Sequence, residues 1–351
     1  MAFTTIAKSS DHFDCPTWTG SDSTTTITGM GFKPDALWIK NYSGSGHPVF
    51  NDSSKGIGFN WIPSGNNAND TTNYVASYTS DGFTLTGNLA NTNDASDSYV
   101  GACWKANGGT TSANSDGATA SVVQANTTAG FSIVTYTGGG AATTVGHGLG
   151  VAPKAIFVKN TAIADRGVIL NMSKVNLSAP ETYNSQFANG GSNLQTGTDK
   201  WNDTAPTSTV FSVGSSNMVS GNTQAHIAYC FAEVQGFSKV GFYSGTGNAR
   251  GTKVYCGFRP KYVLIHSTTT GDDWCAKISG LTGYGVGGKR TRNVRYSSNT
   301  SQTSANIEFE SNGFRCATTS SFCNSENVVY YYLAFAEMPM VGTNGTIALA
   351  I

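Results

Sequence analysis

The chain is poor in charge. Only 12% of its 351 residues are Asp, Glu, Lys or Arg, and 21 basic side chains balance 21 acidic ones. Globular proteins average about 25%, and without a basic surplus the composition argues against a nucleic-acid binder held by phosphate contacts. Long apolar runs are missing too. The longest, near residues 328–336, is about half of the roughly twenty residues a membrane span needs, so no membrane insertion is expected. The start, MAFTTIAKSS, lacks the apolar core of a secretory leader, and synthesis in a cytoplasm is the expectation. Seven scattered cysteines fit buried free thiols better than a disulfide framework; Cys316 and Cys323 are the one pair that would qualify as an exception.

Enzyme motifs are equally scarce. The chain has no G-x-S-x-G, no H-E-x-x-H and no C-x2-C, hence no recognisable nucleophile elbow or zinc site. GYGVGGKR at 283–290 imitates a phosphate loop but puts Arg290 where a hydroxyl must meet Mg²⁺. NTNDASDSY at 91–99 alternates oxygen donors without the glycine and glutamate of a calcium loop. The five histidines lie far apart; His226 reads as a satisfied strand residue and His147 as a turn support. No cofactor, metal or catalytic residue is expected.

What the chain has is glycine, 42 residues, and aromatics at 11%. Thr, Ser and Asn fill the spacers, and no window carries the 3.6-residue period of a helix, which is an all-β signature. One pattern occurs three times. GFKPDALWIK, GVAPKAIFVK and GFRPKYVLIH surround Pro34, Pro153 and Pro260, which are 119 and 107 residues apart. Proline fixes φ and has no amide to donate, so it suits the start of a strand. Upstream stand Trp18-Thr19-Gly20, Tyr136-Thr137-Gly138 and Tyr243-Ser244-Gly245. Downstream come strands led by Phe83, Phe211 and Phe314, then YVGACWKA, HIAYCFAE and YYYLAFAE, which align Trp104 with Phe231 and Phe335. Asp81-Gly82 and Asn312-Gly313 mark hairpin turns.

The expected fold is therefore all-β, three tandem β-sandwich modules related by an internal repeat. Their expected bounds are 1–106, 130–236 and 237–341, with a Gly/Ser/Thr-rich linker at 107–129 and a tail at 342–351. The linker should be flexible or loosely docked. The second and third modules, having no spacer, should be rigidly coupled. The one charge concentration is Lys289, Arg290, Arg292 and Arg295, a candidate binding site for an anionic partner or glycan through forked guanidinium bonds; the alternative is a solvated loop.

Taken in order, MAFTTI, FKPDALWIK, DGFTL, YVGACWKA, NTTAGFSIVTYTG, VGHGLGVAPK, IAYCFAEVQGFSKVGFYSG, YCGFRPKYVLI and YYYLAFAEMP resemble virion structural proteins of tailed phages, frequent in marine phages including those of cyanobacteria. The resemblance spans essentially the whole chain. It implies a non-enzymatic protein assembled in the host cytoplasm and displayed on the virion surface, tail-fibre-like or head-decorating, as a homo-oligomer. Its partners would be other virion proteins and a host surface glycan. The third module departs from the pattern at DDWCAKI and the basic segment, which makes it the expected place for a contact peculiar to this chain.

Overall fold

The structure is a computed structural model that describes residues 4–338 apart from 66–67, 165–166, 172–182, 187–194, 270–271, 282–292 and 301–305. The protein is all-β and β-sandwich-like. Three large antiparallel sheets each carry a smaller sheet on one face. Among the described residues, helix is confined to the short turns Ser9–Asp11, Thr198–Trp201 and Asn217–Ser220, and no helix is long and apolar enough to cross a membrane.

The strand after each repeated proline lies at the middle of a large sheet. Ala36–Asn41 runs between Ser98–Trp104 and Val49–Asp52. Ala155–Asn160 runs between Ala225–Phe231 and Val168–Asn171, and Pro260–Ser267 between Val329–Ala336 and Cys275–Ile278. Pro260 begins its strand, with a register shift directly after it. Pro34 and Pro153 stand two residues upstream, so there the proline fixes the entry and the ladder starts later.

All six residues of Ala36–Asn41 and of Ala155–Asn160 are buried, because each strand feeds two cores. Leu37 and Ile39 face the smaller sheet of Thr25–Ile27, Gly82–Leu85 and Val75–Thr79, packing with Phe83 and Leu85. Ile156 and Val158 pack with Phe211 and Val213, and Val263 and Ile265 with Phe314 and Ile307. Trp38, Phe157 and Leu264 point the other way, into one core shared by all three large sheets. At its centre the rings of Trp104, Phe231 and Phe335 form a triangle with centroid separations of 5.7 Å, 5.9 Å and 6.1 Å.

Part of the segment expected to be a flexible or loosely docked linker is sheet. Ser112–Asn114 pairs with Ser121–Asn126, which pairs in turn with Phe131–Thr137. The reason is the alternation in SVVQAN. Val123 is buried and Val122 exposed, the pattern of a strand with one covered face. Gln124 completes the docking, its amide donating to the hydroxyls of Ser53 at 3.1 Å and Ser54 at 2.6 Å. The hairpins occur one residue earlier than expected. Ser80-Asp81 and Ser311-Asn312 form the turns, and Gly82 and Gly313 open the return strands at φ 156° and 153°. A Cβ there would strike the carbonyls of Ile27 and Val254 in the neighbouring strand, so glycine is required by close approach.

Candidate functional site

Most of the repeated positions are occupied with holding the fold. Trp18, Tyr136 and Tyr243 each stack on the second residue of the closing strand, Tyr99, His226 and Tyr330, with interplanar angles of 13°, 14° and 16°. Each meets Phe83, Phe211 or Phe314 edge-on. Each polar tip donates to a backbone carbonyl: Trp18 Nε1 to Thr92 at 2.9 Å, the Tyr136 hydroxyl to Val219 at 2.6 Å and the Tyr243 hydroxyl to Cys323 at 2.8 Å. The glycines that follow, Gly20, Gly138 and Gly245, leave no room for a Cβ beside the backbone of Asp94, Gly221 and Ser325. Aromatic stacks of this kind stabilise by about 0.5–1.5 kcal/mol beyond their buried area.

The candidate binding residues divide. Lys289, Arg290 and Arg292 lie outside the described residues, as does the phosphate-loop lookalike at 283–290. Arg295 is described, and it faces inward. Its Nη2 is 2.6 Å from Asp273 Oδ2, its guanidinium lies 4.7 Å from the centre of the Phe322 ring, and its side chain is 22% exposed. Asp273 is held in turn by the Ser297 hydroxyl at 3.1 Å. Arg295 is therefore part of a half-buried ion pair, its Asp273 end enclosed, beside the pairing of Asn293–Arg295 with Cys275–Ile278.

In the oxygen-rich stretch at 91–99, Asn93 and Asp97 spend their side chains on the chain itself. Asn93 accepts from Ser21 N and donates to Ser23 O, while Asp97 accepts from Asn41 and Ser43. Among the described residues no three His, Cys, Asp or Glu side chains are grouped as a metal would require. His147 accepts from Leu149 N and so supports its turn. His226 is buried and bonded to the backbone at both ring nitrogens. All seven cysteines are buried and free, Cys316 and Cys323 included.

Three features were not read as candidate sites from the sequence. The first is Asp52, buried beneath the closing strand of the second large sheet, where Tyr229 donates to its Oδ2 at 2.8 Å. Burial pushes its carboxyl up to about 6, against the opposing backbone bonds from Lys55 and Ser54. The second is Lys40, whose ammonium donates to Gly46 O at 2.7 Å and Asn299 O at 3.4 Å. Burial lowers it to about 7, with Asp273 opposing the shift. The cavity beside Asp52 and Tyr229 measures about 10 Å³, room for one water and not for a substrate. The third is an open pocket of about 320 Å³ walled by Thr4, Thr5, Thr127, Thr128, Glu233 and Gln235 together with the apolar Val151 and Val234. Its volume falls in the range of small-ligand sites. Glu233 is engaged there by Lys239 and by Val240 N, and Thr4 Oγ1 accepts from Ile6 N, so the polar part of the wall is mainly neutral hydroxyls and an amide. Elsewhere the exposed rings of Tyr255 and Phe59 each lie under a lysine, Lys253 at 5.4 Å and Lys55 at 5.7 Å.

These features define a β-sandwich-like protein with a common aromatic core and neutral, hydroxyl-rich loops. A protein-family model described as a domain of unknown function (DUF7483) matches residues 8–339, and the chain belongs to that family. No curated protein and no solved structure matches it.

Proposed function

We propose that this chain is a non-enzymatic structural protein on the surface of a tailed-phage virion, acting in host adhesion as part of a tail fibre or appendage by weak polyvalent contact with glycan. In this reading the chain is built from three β-sandwich units related by an internal repeat. The observation that carries the non-enzymatic part is the use of the aligned residues. Those shared between the repeated motifs form stacks, caps and close backbone contacts, and the buried Asp52 has no substrate-sized space beside it. Hydroxyl and amide groups in the loops suit wet, reversible hydrogen bonding to sugars.

The virion assignment itself rests on the sequence resemblance. Immunogold labelling of intact particles tests it. Label on tail appendages is the expected result; label on heads alone would move the protein to the second reading, capsid decoration, and an absence of label from particles would reject both. Capsid decoration draws support from the common core, because three sheets converging on one centre make a compact cap as readily as a fibre tip. Incubation of purified protein with host polysaccharide should release no reducing ends.

A further inference from the structure

We infer that the chain is a covalent trimer: three diverged β-sandwich units closed about a pseudo-threefold axis, so that one polypeptide supplies an assembly that three separate subunits would otherwise form. The inference rests on the three-unit reading above and is independent of the virion role. Trp104, Phe231 and Phe335 hold the same place in the three closing strands, and their rings meet pairwise at 5.7 Å, 5.9 Å and 6.1 Å. Equivalent residues that all touch one another, at nearly equal distances, lie around a threefold axis. Units strung end to end would keep them at least the ~10 Å of two packed sheets apart.

The next layer repeats the arrangement. Trp38, Phe157 and Leu264, each four residues past its proline, line one void of about 10 Å³ together with Tyr229 and Leu333. Every pair of units is in contact around the ring. Phe50 meets Tyr229 at 4.4 Å, Phe157 meets Trp274 at 6.1 Å and Trp38 meets Tyr296 at 4.6 Å. Lys261 of the third unit pairs with Asp14 of the first. A heterologous contact that returns to its starting unit closes a ring and leaves no inner surface for further copies.

On this reading a symmetric association of three units exists inside one chain, whatever further copies its outer surface joins. The three sequences have diverged while the core has kept its geometry, so a partner meets three unlike sets of loops on one rigid body. Self-association through the inner sheet faces is blocked, because those faces are already filled.

Two measurements on the full chain test this. At a dilution where light scattering gives the mass of a single chain, 36.7 kDa, the tryptophans should stay shielded from iodide quenching; tryptophans exposed in the single chain would overturn the closure while leaving three units per chain intact. Cleavage at a protease site inserted between Val234 and Gln235 should leave the two pieces in one particle that separates only in denaturant. Pieces that part under native conditions would overturn the common body. A second site between Ser115 and Asp116 repeats the readout if the first insertion disturbs its turn. Neither result bears on the virion role, which particle labelling decides.

Discussion

Tyr229 and Asp52 are 177 positions apart in sequence, yet the phenol donates a 2.8 Å hydrogen bond to the carboxylate in a fully enclosed place. The bond fastens the turn after Val49–Asp52 to the closing strand of the second large sheet. Removing the phenol in Tyr229→Phe leaves a buried acceptor short of a partner, which costs about 1–3 kcal/mol. Urea melts at fixed pH measure it. An unchanged midpoint would show that Asp52 finds another donor.

The same pair sets a pH dependence. Asp52 has a folded pKa raised to about 6, so the folded state holds its proton more tightly than the unfolded chain does. Its contribution to stability is complete below about pH 4, the unfolded value, and is lost as pH rises through about 6. Lys40 has the opposite sign. Its folded pKa is lowered to about 7, so its contribution is complete above about pH 10.4 and is lost as pH falls through about 7. The linkage slope follows from the protons bound in each state. Comparing stability against pH for the wild type, Asp52→Asn and Lys40→Met should remove the fall between pH 4 and 6 in the first variant and the rise between pH 7 and 10 in the second. Parallel curves would refute both assignments.

Phe231→Ala empties one corner of the aromatic triangle, and a core change of this kind costs about 3–5 kcal/mol. Because the core is shared, unfolding should remain one transition. Cys103, Cys230 and Cys275, each buried beside a different large sheet, should become reactive together in thiol labelling followed by mass spectrometry. Labelling of Cys230 alone at an intermediate denaturant concentration would show that the sheets open independently.

The basic segment should divide by role. Replacing Lys289, Arg290 and Arg292 with Ser should leave thermal stability unchanged and weaken binding to an anionic glycan array. Arg295→Ser should instead destabilise by about 3 kcal/mol, since it strands Asp273 as a buried, unpaired charge. Unchanged glycan binding in the triple variant would eliminate the segment as a contact.

Gly245→Ala places a methyl group against the Ser325 carbonyl and should cost on the order of 1–3 kcal/mol, the scale of overpacking. Thermal melts check it, with Gly139→Ala as a control in open space.

Much of this architecture was legible in the chain. The prolines marked the approach to the central strands, the segments led by Phe83 and Phe314 gave hairpins while the Phe211 strand pairs with the distant Thr143–Gly146, and the aligned Trp18, Tyr136 and Tyr243 marked positions that share one stacking geometry. The segment at 107–129 misled because its Gly, Ser and Thr content outweighed the short alternation of SVVQAN, and a strand that docks on an existing edge needs little hydrophobicity of its own. Arg295 misled for a related reason. Sequence shows a cation among cations, whereas pairing with Asp273 depends on the strand register that brings Cys275 opposite Arg295.

The sequence by itself marked the apolar cores of the central strands and the approach to each, because proline geometry and apolar runs act locally. It left open what covers each face. LWI reads the same whether its second face meets another sheet of its own sandwich or the center of the whole protein, since burial requires only that water be excluded. That Leu37 and Ile39 went to one core and Trp38 to another, and that Trp104, Phe231 and Phe335 met at a single point, was decided by long-range packing. Only the close approach of strands far apart in the chain could fill that space.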